Sequence, residues 1–198
     1  MRSRRRADRT AMQFAETVQR NFKFLVVRGF RLVRADPTFV RFESPWLFIN
    51  LYHGRRSYEI GLELGQIGRP EDEDQPYPMS ALLEAVGSSD AKNYLNYTAR
   101  NMDAVDAGVA RLAKLFNQNI TEEFLARRDL FNLLKQQRKS RADSFALKTN
   151  LEQARSIVEP AWRTKDYKKV VEILLPLSEH LTASERKKLE YAKRMTLN

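Results

Sequence analysis

The chain has 198 residues, of which 42% are hydrophobic, and it carries a net charge of +10. This length and composition predict one large domain or two small ones with a real core, which excludes general disorder. The sequence contains no cysteine. Disulfides, thiolate metal sites and a cysteine nucleophile are therefore excluded, and we predict a cytoplasmic location, with which the missing cysteine is compatible.

The positive charge is concentrated at the two ends of the chain. Residues 1–34 carry a net charge of +8, residues 35–120 carry −4, and residues 121–198 carry +6. The ends are therefore suited either to contact the acidic middle or to bind a polyanion.

Residues 1–9 are predicted to form a basic flexible arm. Thr10 can cap a helix that runs to about Arg28 with apolar residues on one face. No apolar stretch follows the basic start, so the sequence predicts no secretory signal. No apolar run approaches the roughly 18 residues of a membrane span, so we predict no membrane association.

Residues 38–67 show the clearest sheet pattern and predict a three-stranded antiparallel meander. Residues 38–43 alternate between apolar and polar faces. Residues 46–52 are almost continuously apolar, which predicts a central strand covered on both faces. Residues 58–65 alternate again, with aliphatic side chains on one side and Glu59, Glu63 and two glycines on the other. Ser44-Pro45 and residues 53–56 supply the turns.

A loop over residues 68–78 and a short helix over residues 79–86 follow. The longest helix is predicted from Ser89 or Asp90 to about Asn117. It carries a heptad repeat formed by Leu95, Met102, Val109 and Phe116. We expect this helix to cover the meander or to pack along the first helix, with a coiled-coil dimer as the alternative. Gly108 inside it predicts the close approach of another element.

The last third of the chain is patterned for helices. We predict a helix that begins at a capping pair of Asn119 and Glu122 and runs to about Lys139, and further helices over residues 144–161 and from Asp166. Thr182 and Glu185 form a capping box for a last helix. Taken together, the sequence predicts an α+β domain over residues 10–120, a meander packed by helices. A C-terminal helical bundle over residues 121–198 packs on it.

Residues 165–177, KDYKKVVEILLPL, resemble the second half of a tetratricopeptide repeat, and the likeness extends over about residues 147–181. Lys165 stands where the repeat usually has glycine, and Thr182 stands where it closes on proline. The resemblance implies one degenerate helical hairpin that packs on the core or on a partner, since a single unit cannot build a solenoid.

Residues 10–90 carry a second resemblance, through the order of helix, meander, acidic loop and short helix. With TFVRFES and NLYHGRRSYEIGLELG in the strands, this region resembles small uncharacterised bacterial proteins, some of which are immunity partners of toxins. The resemblance implies a non-catalytic, cytoplasmic, partner-binding role.

The sequence offers few groups for catalysis. His53 and His180 are its two histidines, and metal-ligand, phosphate-loop and nucleophile motifs are missing, so we predict no metal, no cofactor and no enzymatic activity. Glu59 and Glu63 lie roughly 13 Å apart on one strand, too far for a glycosidase pair at about 5–9.5 Å. Either could pair with Glu43, which leaves carboxylate chemistry as a third hypothesis.

The first hypothesis is a non-enzymatic, immunity-like protein-interaction protein that binds and neutralises a partner protein. Its predicted contact residues are Arg55, Arg56 and Tyr58, because arginine and tyrosine are favoured at interface centres. The second hypothesis is a nucleic-acid-associated accessory protein that acts through its basic ends. The predicted phosphate contacts are Arg4, Arg5, Arg6, Lys135, Arg138 and Lys139. Trp46, Phe48, Tyr52 and Tyr58 are either stacking residues for single strands or part of the core.

Overall fold

The computed structural model describes residues 9–68 and 75–196. It confirms the α+β fold class and divides the chain into two compact units, Met1–Arg138 and Lys139–Asn198. The predicted arm, apart from Arg9, and residues 69–74 of the predicted acidic loop lie outside the described residues.

The first unit contains an antiparallel sheet with six strands among the described residues. The predicted three-stranded meander therefore accounts for only part of the sheet. The strands are β1 (Arg31–Asp36), β2 (Phe39–Glu43), β3 (Leu47–His53), β4 (Glu59–Gln66), β5 (Tyr77–Pro78) and β6 (Tyr97–Thr98). The predicted meander corresponds to β2, β3 and β4, with β3 in the centre as expected. The short strands β5 and β6 both pair with β4.

Strand β1 escaped prediction because its pattern is interrupted. Leu32 faces Phe42 and Arg34 faces Arg41 across the ladder, so Val33 is an extra residue that forms a bulge. A bulge shifts the alternation of faces by one residue and is common in strands at a sheet edge. The strand is exposed along most of its length, and its side chains therefore show no burial period.

The two faces of the sheet are different. The core face carries fully buried side chains, among them Val40, Ile49, Leu51, Leu62 and Leu64. The opposite face, called the open face below, carries side chains that are mostly half-exposed. It consists of Phe39, Arg41 and Glu43 on β2, Phe48, Asn50 and Tyr52 on β3, and Glu59, Gly61, Glu63 and Gly65 on β4. The predicted cover on both faces of β3 was therefore wrong for the open face.

The core face is packed by short helices and one long one. These are the 3₁₀ turn Thr10–Met12, α1 (Phe14–Asn21), α2 (Phe24–Val27), α3 (Met79–Ala85), the 3₁₀ turn Ser89–Asn93, α4 (Met102–Asn119) and α5 (Glu122–Leu125). The single helix predicted from Thr10 to Arg28 is broken at Gln13, whose φ is 49°, and again at Phe22. The second break lets both Phe22 and Leu25 become fully buried.

Helix α4 begins thirteen residues later than the predicted start at Ser89. Residues before it form β6 instead, because Tyr97 pairs with Ile60 at the edge of β4. Leu95 is consequently 76% exposed and Met102 48% exposed, whereas Val109 and Phe116 are buried as predicted. The helix packs on both α1 and β4, so both expected contacts of this helix are present.

The second unit contains the C-terminal part of α6 (Leu130–Arg163), α7 (Tyr167–Leu174), the 3₁₀ turn Leu175–His180 and α8 (Ala183–Thr196). The helix predicted up to Lys139 is divided into α5 and α6 between Leu125 and Leu130. From Leu130 it continues into the helix predicted over residues 144–161, since no glycine or proline interrupts it at residues 140–143. The unit has its own core, which is formed by Val158, Ala161, Val170, Leu174, Leu181, Leu189 and Ala192. In the described part of the chain, no helix is long and apolar enough to cross a membrane.

Candidate functional site

The predicted contact residues lie at the turn between β3 and β4, called the hairpin tip below (residues 54–58). Arg55 and Arg56 are exposed, and Tyr58 is half-buried. Among the described residues, neither arginine side chain has a hydrogen bond or an ion pair. The tip therefore presents two adjacent guanidinium groups to solvent.

Arg9 holds the tip from the side of the core face. Its guanidinium donates hydrogen bonds to the carbonyl oxygens of Gly54 at 2.8 Å and Arg55 at 2.9 Å. The same group lies 4.0 Å from the centre of the Tyr58 ring, a cation–π contact. Together these contacts, called the Arg9 clasp below, fix the backbone of the turn from which Arg55 projects.

His53 supports the Arg9 clasp from inside the protein. Its Nε2 donates to the Ala99 carbonyl oxygen at 2.8 Å, so its Nδ1 accepts from Arg9 at 3.0 Å. Burial lowers the pKa of His53, and the Arg9 cation lowers it further, against the opposing effect of the Ala99 carbonyl. The residue is 1% exposed. His53 is therefore a buried neutral group, although its position in the sequence is next to an exposed turn.

Tyr58 forms part of the turn itself. Its φ of 58° is in the left-handed region, which non-glycine residues seldom adopt. Its N–H donates to the Gly54 carbonyl oxygen at 3.0 Å, and Arg100 lies 5.9 Å from the ring on which Arg9 stacks. Of the three predicted contact residues, Tyr58 is therefore the one already engaged within the chain.

Two of the three strand carboxylates have separate partners within the sheet. Glu43 accepts a hydrogen bond from Arg41 of its own strand at 2.7 Å. Glu63 accepts from the Asn50 side chain at 2.9 Å. Glu59 lies at the end of β4 opposite Thr98. No group of three or more histidine, aspartate or glutamate residues within the described ranges could hold a metal ion.

Phe48, one of the aromatic residues suggested for base stacking, has both ring faces covered. Phe48 lies on Gly65 with one face, and Arg41 lies 3.9 Å from its centre. Trp46 meets Phe131 edge-on at 6.2 Å. A single-strand binder offers open ring faces to successive bases, which the ring of Phe48 does not.

Three of the predicted polyanion contacts, Lys135, Arg138 and Lys139, lie on α6. Arg138 donates to the carbonyl oxygens of Gln75 at 2.6 Å and Pro76 at 3.2 Å, and it lies 3.8 Å from the centre of the Tyr77 ring. Lys135 is exposed but takes part in a contact within the chain. Lys139 is exposed and belongs to the second unit. The remaining three, Arg4, Arg5 and Arg6, lie outside the described residues.

A cleft that the sequence did not predict opens beside the Ser44-Pro45 turn. It has a volume of about 420 Å³ and is lined in part by Phe30, Trp46 and Leu125. The charges on its rim compensate each other, since Arg28 and Glu122 lie 3.7 Å apart. The cleft therefore has no excess charge to select a ligand, unlike the hairpin tip.

Comparison with protein-family models, with curated proteins and with solved structures found no match for this chain. The two resemblances drawn from the sequence therefore stay predictions.

Proposed function

We propose that this chain is a non-enzymatic protein-interaction protein that binds an acidic surface of a partner protein through Arg55 and Arg56. One observation carries the proposal. Two adjacent guanidinium groups are exposed, lack a partner among the described residues, and project from a turn whose backbone carbonyls are held by Arg9.

The physical basis is preorganisation. A turn that is already ordered loses little conformational entropy on binding, so more of the interaction energy appears as affinity. Each guanidinium presents a planar fork of donors that matches a carboxylate. The net charge of +10 also favours rapid encounter with an acidic partner.

The particular form that we favour is that of an immunity protein, which binds and neutralises a toxin. This form rests on the resemblance of residues 10–90 to immunity partners. In it, the acidic surface belongs to the toxin, and the bound hairpin tip blocks the toxin's activity.

The test begins with affinity capture of partners from the source cells with the full chain, followed by calorimetry on the purified partner. The double variant Arg55→Glu/Arg56→Glu should bind at least about tenfold more weakly, because two attractive contacts become repulsive. Arg128→Glu is the matched control, since Arg128 is exposed and has no contact among the described residues. Equal affinity of the double variant and the wild type would contradict the proposal.

Association with nucleic acid is the alternative outcome of the same experiment. Phosphates also accept from arginine, and the net charge of +10 favours such binding. If the captured partner is DNA or RNA and the affinity falls steeply with salt, an accessory protein of nucleic acid replaces our proposal. The covered ring of Phe48 favours the protein partner.

A further inference from the structure

The open face contains the same arrangement twice. Phe48 faces Gly65 across β3 and β4, and Tyr52 faces Gly61 in the same ladder. In both pairs the ring lies on the glycine. A Cβ added to Gly65 would stand 2.1 Å from Phe48 Cζ, and one added to Gly61 would stand 2.3 Å from Tyr52 Cζ. The two rings are four residues apart on β3 and share one face of the sheet.

The first arrangement is completed by a cation and an anion of this chain. Arg41 lies 3.9 Å from the centre of the Phe48 ring. Its Nε donates to Glu43 at 2.7 Å. A guanidinium thus stacks on the aromatic ring while a carboxylate holds it from the side, which combines a cation–π contact with a charge-assisted hydrogen bond.

The second arrangement has the carboxylates but lacks the cation. Glu59 and Glu63 flank Gly61 on β4, and both carboxylates raise the pKa of the Tyr52 hydroxyl in addition to the larger effect of burial. Among the described residues, no arginine or lysine stacks on Tyr52 or forms an ion pair with either glutamate. The neighbouring cation, Arg41, is held at the Phe48 ring.

Asn50, which contacts Glu63, has a buried amide oxygen for which the described part of the chain supplies no donor. Asn50 is 6% exposed, and its Nδ2 donates to Glu63 Oε1 at 2.9 Å. The carboxylate can only accept, so the amide orientation is fixed and Oδ1 points elsewhere. Oδ1 is buried and has no hydrogen-bond partner among the described residues. Such an oxygen is costly to leave unpaired. The Nδ2 hydrogen bond of the same amide holds the Glu63 carboxylate at a fixed position on the open face.

We propose that Tyr52, Glu59, Glu63 and Asn50 form a binding site for an arginine side chain of a partner protein. The guanidinium stacks on Tyr52 as Arg41 does on Phe48, and it donates to the carboxylates of Glu59 and Glu63, the second of which Asn50 holds in place. A planar fork of five donors can serve these acceptors together, which a lysine ammonium on a ring cannot do equally well. This site goes beyond the tip arginines, because it binds a cation instead of an anion.

The test is a titration of the ¹⁵N-labelled full chain with N-acetyl-arginine amide, followed by NMR. The Gly61 N–H and the Asn50 side-chain amide should shift most, and N-acetyl-lysine amide should bind more weakly. Glu63→Gln should weaken binding at least about fivefold, because it removes a charge-assisted hydrogen bond. Glu16→Gln, which changes an exposed carboxylate of the same unit, should leave binding within about twofold of wild type. The net charge of +10 disfavours non-specific binding of a cation.

Three results would overturn the inference. Shifts at Gly61 no larger than those at Gly87 would show that no site exists there, and so would unchanged binding in Glu63→Gln. A variant with Arg2, Arg4, Arg5 and Arg6 replaced by serine should bind as the wild type does. A gain of about tenfold in that variant would mean that the chain's own arginines occupy the site, not those of a partner. Arg55→Glu/Arg56→Glu should not weaken the binding of N-acetyl-arginine amide. A failure of the proposal for the hairpin tip can therefore be distinguished from a failure of this inference.

Discussion

The ring of Phe48 lies directly on Gly65, so closely that a Cβ atom added to the glycine would stand 2.1 Å from Phe48 Cζ. The two residues face each other across β3 and β4. A glycine in a strand leaves backbone uncovered, and an aromatic ring from the neighbouring strand can cover it. This relationship lets the open face carry a large apolar ring, because the ring buries one of its faces against the sheet itself.

Gly65→Ala should therefore destabilise the protein. The methyl group would displace the Phe48 ring, and with it Arg41, which lies on the other side of that ring. We expect a loss of about 1–3 kcal/mol in the free energy of unfolding, which is typical of overpacking. Urea unfolding followed by circular dichroism measures it.

The control for this prediction is a double-mutant cycle with Phe48→Ala. Without the ring, the methyl group at Gly65 meets no obstacle, so Gly65→Ala should cost close to nothing in the Phe48→Ala background. Equal costs in the two backgrounds would show that the clash with Phe48 is not the cause.

Arg138→Gln should loosen β5. The substitution removes two hydrogen bonds to the carbonyl oxygens of Gln75 and Pro76 and the cation–π contact with Tyr77. We expect a loss of about 1–3 kcal/mol and faster hydrogen exchange at Tyr77, whose strand pairs with Leu64. Lys139→Gln is the control, and its effect should stay within about 0.5 kcal/mol because Lys139 is exposed. Similar effects of both substitutions would refute a structural role of Arg138.

The elements that the sequence predicted correctly are those with a pattern contained in their own few residues. Strands β2 and β4 alternate strictly, and the capping box is a local motif that the structure confirms, with Thr182 N–H donating to Glu185 at 2.8 Å. Gly108 predicted a close neighbour, and a Cβ there would lie 2.6 Å from Tyr97 Cδ1. Each of these signals lies in a few consecutive residues or in one residue type.

The elements that escaped prediction depend on partners distant in sequence. Tyr97 joins the sheet through Ile60, and two residues are too few to show a strand period. The candidate site shows the same limit. The sequence predicts Arg9 as part of a flexible arm, yet its partners are backbone carbonyls 45 and 46 residues away. Every residue has a backbone carbonyl group, so the sequence does not indicate which one accepts a hydrogen bond from Arg9. Such a contact can be found only in the structure.

The protein should become less stable as the pH is lowered, because of His53. Its pKa is lowered by burial and by Arg9, so the unfolded chain takes up a proton more readily than the folded one. Stability is then complete above the ordinary histidine pKa of about 6.5 and is lost as the pH falls below it. One proton limits the slope to about 1.4 kcal/mol per pH unit.

Urea unfolding between pH 7.5 and 5.5 measures this slope. His53→Asn should reduce it, because asparagine does not titrate, even if the variant is less stable at every pH. His180→Gln is the matched control and should keep the slope of the wild type, since the turn that contains His180 lies outside the Arg9 clasp. A wild-type slope in His53→Asn would assign the titration to other groups.

Glu185 should make the start of α8 sensitive to acid. Arg155 donates to its carboxylate at 2.6 Å, and this hydrogen bond, together with those from Thr182, lowers the pKa of Glu185 to about 2. A folded pKa below the ordinary value means that the stabilisation is present above about 4.5 and is lost as the pH falls towards 2.

Hydrogen exchange at the amides of the first turn of α8, converted to opening free energies, reports this loss. In the wild type, the opening free energy should decrease between about pH 4.5 and pH 2. In Glu185→Gln, it should be lower by about 1–2 kcal/mol at pH 4.5 and above, and it should change little as the pH falls. Glu190→Gln serves as the control, because Glu190 pairs with Lys193 at 2.8 Å on the exposed surface of the same helix and such pairs contribute little. An unchanged acid response in Glu185→Gln would place the titrating group elsewhere.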